Sequence, residues 1–460
     1  MTQLLDADYL VVGAGAMGMG FTDALVERAD VKVVMVDRRH GVGGHWLEAY
    51  PFVRLHQSSS FYGVASTVLG GRRKQTTGPE VGLDERADQP KICAYFSDVL
   101  ADRLVGSGKV ELLTGTDYVG DRTLVSRVSG KTFTVPERCR VVDARYLSPD
   151  IPAELPPRFE VGDGASVIPI NDVVHLQEAP SQYVVVGSGK TATDAIVWLL
   201  GRGVDPDDVC WVRPRDPWML NRALIQPDRL IYLGMFADLL EAAASAPTLP
   251  DLFLRLEELG IMLRLDPAVT PTMAKSPTLG VWELELLRSI ENVVRHGHLK
   301  AVERGRLDFA DGPVPVAQDA VVVNCAADGL KNPPRLPIWE PGKITIQPVR
   351  AGFPCFGAAV TGYVEATRDD DADKNRLCAP SSYGNSLEQW AAMNVLGVRN
   401  MGALGAEPDL QEFADTVALN PSGVPSDHAS SPELDAVRAR LRAHVGPGIE
   451  RLAQLSDLGR

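Results

Sequence analysis

One stretch near the start of the chain narrows the fold more than any other: Leu10-Val-Val-Gly13-Ala-Gly15-Ala-Met-Gly18, followed by a helical pattern and then Val33-Val-Met-Val36-Asp37. The order strand, glycine turn, helix, second strand is that of a mononucleotide-binding unit. Gly13 permits the tight turn out of the strand, Gly15 lets the backbone approach a pyrophosphate, and Gly18 lets the helix lie close to the sheet. The helix N-terminus then faces the phosphate charge. Asp37 stands where a carboxylate accepts both ribose hydroxyls, and it would repel a 2'-phosphate, so this site suits FAD or NAD and disfavours NADP.

A second unit begins at Tyr183-Val-Val-Val-Gly187-Ser-Gly189-Lys190-Thr191-Ala192, continues as a helix to Leu200 and ends in the strand Val209-Cys-Trp-Val-Arg213. Gly-Ser-Gly-Lys-Thr has the look of a P-loop, but that motif needs a glycine where Val184 stands inside an apolar strand. Gly-x-Gly-x-x-Ala is the better reading, a form of the fingerprint used for nicotinamide nucleotides. Where the first unit ends in an acid, this one ends in Arg213-Pro-Arg215, and Lys190 and Thr191 sit at its turn. Cations there can pair with a 2'-phosphate, which favours NADPH over NADH. The expected fold class is α/β, with two Rossmann-like dinucleotide-binding domains and a helical insertion in the second.

Between the two units, Gly43-Gly44-His45-Trp46 leads into Tyr50-Pro51-Phe-Val-Arg54-Leu-His56-Gln57. Paired glycines allow close backbone approach, and an aromatic ring offers a flat wall to a flat cofactor. This segment resembles Gly-Gly-x-Trp…Tyr-Pro-Gly-x-Arg of the flavin-containing and Baeyer-Villiger monooxygenases, matching at Gly43, Gly44, Trp46, Tyr50, Pro51 and Arg54. The resemblance implies a class B-like flavin monooxygenase in which the segment runs along FAD. Gly44, His45, Trp46, Arg54, His56 and Gln57 become candidates to line that cofactor. Core packing is the plain alternative for Trp46, and structural roles are the alternative for the two histidines. Asp143-Ala144-Arg145 stands where such flavoproteins carry Ala-Thr-Gly, and their Phe-x-Gly-x-x-x-His-x-x-x-Trp fingerprint is missing between Phe159 and His175.

The expected organisation is a FAD domain over residues 1–150, an NADPH domain over 151–319 with a largely helical insert at 218–298, a return to the FAD domain over 320–404, and a linker and amphipathic helix over 405–460. Helical spacing runs from Trp282 to Arg295, and the Ala320 strand reads as the start of the return. The 460 residues carry a net charge of -14, which argues against nucleic acid or an anionic membrane surface as partner. No apolar run reaches the roughly 18 residues needed to span a bilayer, and the first residues lack the pattern of a signal peptide. The expected location is cytoplasmic, and the insert offers a surface for a homodimer. The six cysteines are scattered with no close pair, so neither an ordinary zinc site nor a redox dithiol is expected.

Hydride would pass from nicotinamide to flavin, and the acceptor beyond the flavin decides the function. The resemblance implies molecular oxygen, through a C4a-(hydro)peroxyflavin that oxygenates a small molecule. N-hydroxylation of a small polar amine or amino acid, such as aspartate, ranks ahead of sulfur or ketone oxidation. No catalytic side chain is nominated, because the cofactor carries the chemistry. The alternatives are an NADPH-dependent flavin reductase serving a quinone or protein, and a nucleotide sensor without turnover.

Overall fold

The computed structural model describes residues 2–460 apart from 327–328, 382, 425–429, 457 and 459–460. Two parallel sheets carry the molecule. In the first, the strand order is Trp339–Glu340, Lys343–Thr345, Arg140–Asp143, Tyr9–Val12, Val33–Val36 and Val110–Leu113. Only the Trp339–Glu340 strand, at one edge, is antiparallel to its neighbour. Val33–Val36 is buried along its whole length, which is why it reads as an unbroken apolar run: parallel strands are covered on both faces. The helix Ala16–Arg28 lies beneath, packed on the helix Pro354–Thr367. Glycines make that contact possible, since a methyl at Gly362 would fall 2.2 Å from the Phe21 carbonyl oxygen.

The second sheet is parallel throughout, in the order Ser166–Pro169, Val321–Asn324, Tyr183–Val186, Val209–Val212 and Val293–Val294. This corrects two expectations. Val321–Asn324 pairs with Tyr183–Val186 inside the second sheet, so the chain returns to the first sheet after Asn324 and not at residue 320. The return is made by Lys343–Thr345, which pairs with Arg140–Asp143. The helical spacing from Trp282 also stops early. The helix ends at Leu287, and Val293–Val294 joins the sheet edge beside Val212.

The insert is less helical than expected. It holds a three-stranded sheet, Met262–Arg264, Pro217–Asn221 and Met273–Leu279, beside the helices Arg229–Ser245 and Leu249–Glu258. The chain's own last helix, Pro432–Leu455, covers Arg229–Ser245, with Arg440 Nη2 donating to Asp238 at 2.6 Å and Arg451 Nε to the Ala246 carbonyl at 2.9 Å. A short helix, Pro408–Thr416, interrupts the expected linker, of which residues 425–429 lie outside the described residues. No described helix is long and apolar enough to cross a membrane.

Candidate functional site

The first glycine turn has the geometry its spacing requires. Gly13 leaves the strand at φ +107°, in a region open to glycine. Gly15 is the N-cap of Ala16–Arg28, and a methyl at Gly18 would lie 1.9 Å from the Gly13 oxygen. Asp37 is buried at the end of the second strand, where Oδ2 accepts from the Ala14 amide at 2.8 Å and Oδ1 from the Arg39 amide at 2.9 Å. Its carboxylate thus bridges turn and strand end, with lone pairs left for ribose hydroxyls. Arg145, of the variant Asp-Ala-Arg segment, lays its Cγ 3.1 Å from where a Gly13 methyl would be.

Gly44, at φ +61°, brings the paired-glycine segment onto this turn, since its added methyl would meet the Gly15 Cα at 2.9 Å. Trp46 is buried and donates from Nε1 to the Tyr62 hydroxyl at 2.6 Å, with the His45 ring 5.2 Å away. Gln57 is buried, whereas Arg54 is exposed and pairs with Asp88 through its backbone. His56 Nδ1 accepts from the Thr278 amide at 3.3 Å. Burial, then the charges of Lys190, Arg222 and Arg86, push the His56 imidazole down to about 3. Burial likewise pushes His45 to about 4. Both rings are neutral near pH 7.

At the second turn Gly187 has φ +132°, and its added methyl would lie 3.0 Å from the Cys325 oxygen. Gly189 caps the helix Lys190–Gly201, on whose first turn Thr191 is half-buried. The cations expected here part company. Arg215 is exposed. Arg213 is buried over the Trp211 ring at 4.5 Å and pairs with Asp216 at 3.3 Å. Lys190 turns into the protein, to Asp194 and to Glu283 Oε1 at 3.3 Å. The structure supplies another cation that sequence reasoning missed: Lys275, on the insert strand Met273–Leu279, holds its Nζ 3.3 Å from where a Gly189 methyl would be. A register shift opposite Met219 and Leu220 leaves Ser276 and Pro277 unpaired next to it, and such bulges re-aim side chains at sites.

The two units face each other through Tyr50 and Phe52. Tyr50 donates to Asp194 at 2.7 Å, and the Phe52 ring stacks on Trp198 at 4.8 Å. No group of ligands able to hold a metal ion occurs among the described residues. Five cysteines are buried and Cys93 is half-buried, all of them free.

The model of the NAD(P)-binding Rossmann-like domain matches residues 11–52. The chain is 39% identical over 422 residues, 90% of its length and 78% of theirs, to the uncharacterized proteins Rv2000 of Mycobacterium tuberculosis (strain ATCC 25618 / H37Rv) and Mb2023 of Mycobacterium bovis (strain ATCC BAA-935 / AF2122/97). Among solved structures it is similar to an oxidized steroid monooxygenase bound to NADP, at TM-score 0.54 and 15% identity over 88% of this chain and 98% of that one. It is also similar to the polycyclic ketone monooxygenase of the thermophilic fungus Thermothelomyces thermophila, at TM-score 0.51 and 14% identity over 96% and 89%. The chain shares its fold with these two monooxygenases.

Proposed function

We propose that this chain, which belongs to the same family as its two mycobacterial relatives, is an FAD- and NADPH-dependent monooxygenase acting on a small molecule. The observation that carries the reading is the opposite charge at two otherwise equivalent turns. One strand ends in the buried carboxylate of Asp37, and the other turn is flanked by Lys275 and the exposed Arg215. FAD fits the first, where the missing Cβ atoms of Gly13, Gly15 and Gly18 leave room for a pyrophosphate and Asp37 for a ribose. NADPH fits the second, with the Gly189 helix end and Lys275 at the pyrophosphate and Arg215 at the 2'-phosphate.

Bound at these turns, the cofactor pair supplies hydride transfer from NADPH to FAD and activation of O2, one oxygen atom entering the substrate and the other leaving as water. The protein contributes position and dryness. Trp46 and Tyr62 form an aromatic wall, and the neutral His45 beside Trp46 adds no charge to it. Within this class we favour N-hydroxylation of a small polar amine or amino acid, such as aspartate.

The test is anaerobic reduction of the holoprotein with NADPH, followed by stopped-flow mixing with oxygenated buffer. A transient absorbing species between the reduced and reoxidised flavin spectra, decaying faster with an amine than with a thioether or ketone, is the expected result. Direct return to oxidised flavin would overturn the oxygenase reading in favour of a reductase.

A further inference from the structure

Six charged side chains form one continuous chain in the seam between the two dinucleotide units. Arg86 Nε donates to Glu80 Oε2 at 3.0 Å, and Arg222 Nη1 pairs with Glu80 Oε1. Arg222 Nη2 donates to Glu283 Oε2 at 2.6 Å, and Glu283 Oε1 lies 3.3 Å from Lys190 Nζ, which also pairs with Asp194. Tyr50 closes the chain from the first unit by donating to Asp194. Three cations meet three carboxylates, so the charge balances. Arg222 is 1% exposed, Glu80 4% and Glu283 3%. Burial alone would raise the Glu283 carboxyl, but Lys190, Arg222 and Arg86 outweigh it and hold it down at about 2.

Arg222 is the hub. Besides its two carboxylates, its Nε donates to the His56 carbonyl at 2.7 Å and its Nη2 to the Thr278 carbonyl at 3.3 Å. It thereby joins the loop carrying Glu80 and the His56 segment to the insert strand that holds Lys275 at the second turn. Space is kept for it: a methyl at Gly280 would lie 2.9 Å from Arg222 Nη1 and from Glu80 Oε1.

An apolar seam tolerates sliding, because dispersion and area burial have no direction. A buried ion chain does not. Each charge has left water at a cost that the ion pairs and hydrogen bonds of this one arrangement offset, so another angle between the units strands a desolvated charge. We propose that Arg222, with Glu80, Glu283 and Lys190, is an interdomain clasp, a set of positioning residues that fixes the angle at which the two cofactor turns face each other. The catalytic consequence rests on the function proposed above. Hydride transfer between two cofactors held by two domains is sensitive to displacements of about 1 Å.

The experiment has two arms. In the first, nitroxide labels on Val128→Cys in the first domain and Asp207→Cys in the second, in a Cys93→Ser background, report the interdomain distance in protein without added nicotinamide nucleotide. The clasp predicts one narrow distribution for the parent, and a broadened or displaced one for Arg222→Met and for Lys190→Met. A triple variant, Glu80→Gln, Arg222→Met and Glu283→Gln, removes the inner charges together and keeps the arm informative if Arg222→Met does not fold. In the second arm, flavin reduction by saturating NADPH in holoprotein is expected to slow by at least about tenfold in these variants, with the NADPH dissociation constant unchanged and partial rescue by Arg222→Lys. Unaltered distances in all three variants would overturn the clasp. So would a weakened NADPH dissociation constant with an unchanged reduction rate, which would make these residues nucleotide ligands. If the parent holoprotein is not reduced by NADPH at all, the proposed function fails, while the distance arm still decides the clasp.

Discussion

The Cα of Gly18 faces the carbonyl of Gly13 across the first nucleotide turn so closely that an added methyl would lie 1.9 Å from the oxygen. Backbone opposes it, so nothing soft can give way. Gly18→Ala is therefore expected to push the helix Ala16–Arg28 off the strand and open the pyrophosphate cradle. The purified variant should carry much less flavin per chain by absorbance ratio. Its urea midpoint should correspond to a loss of about 1–3 kcal/mol, typical of forced overpacking.

The two arginines after the second strand should separate in kinetics. Arg215 is exposed and free to reach a 2'-phosphate, so Arg215→Ala should raise the KM for NADPH by about tenfold and leave that for NADH nearly unchanged, as expected for loss of one charge-assisted contact. Arg213 is buried over Trp211 with Asp216 beside it. Its replacement by Ala should lower the melting temperature and shift both KM values together. Steady-state rates with each nucleotide, paired with melting curves, check both expectations.

What was legible in the sequence follows from the range of the interactions. The two turns could be read because glycine spacing and apolar runs are local signals, and Asp37 sits at a fixed offset from its turn. The return to the first sheet was misplaced at residue 320 because Val321–Asn324 is an apolar tetrad like any parallel strand, and nothing in it says which sheet it joins. Helical spacing beyond Leu287 was overridden by pairing of Val293–Val294 at the sheet edge. Lys190 looked like a phosphate partner from its place in the turn, yet its side chain is captured by Asp194 and Glu283. Glu80, Arg222 and Glu283 carried no local pattern, so their meeting is a product of tertiary structure alone. The same holds for Lys275, whose strand comes from the insert.

Acid should destabilise the protein from mild pH downward. His45 and His56 have folded-state values of about 4 and about 3 against an ordinary 6.5. The unfolded chain thus binds protons that the folded chain refuses as pH falls from 6.5. Glu283, at about 2 against 4.5, adds the same sign below pH 4.5, since its paired carboxylate stabilises the fold above that range and the benefit is lost toward pH 2. Each group contributes at most about 1.4 kcal/mol per pH unit within its window. Melting temperatures measured between pH 7.5 and 4.5 should fall, and His56→Asn should flatten the slope between pH 6.5 and 4.5. A slope unchanged by that substitution would remove His56 from the account.

The last expectation concerns a second buried ion cluster, which ties the returning segment to the first sheet. Glu365, on the helix Pro354–Thr367, accepts from the Tyr9 hydroxyl at 2.7 Å, Arg140 Nη1 at 3.1 Å, Trp339 Nε1 at 2.8 Å and Lys374 Nζ at 2.7 Å. Those four partners come from the strand Tyr9–Val12, the strand beside it, the return hairpin and the helix Asp371–Leu377. Glu365→Leu would leave Lys374, 3% exposed, without its closest carboxylate, and loss of one member of a buried pair costs about 3–5 kcal/mol. Removing both charges should be milder, because the desolvation cost of Lys374 goes with it. In a double-mutant cycle by urea unfolding, Glu365→Leu with Lys374→Met should therefore be more stable than Glu365→Leu alone. Residual loss in the double variant is still expected, since Tyr9, Arg140 and Trp339 keep buried donors that have lost their acceptor. Additive behaviour of the two substitutions would mean that Lys374 is held by Asp371, 3.4 Å away, and that Glu365 serves the other three donors alone.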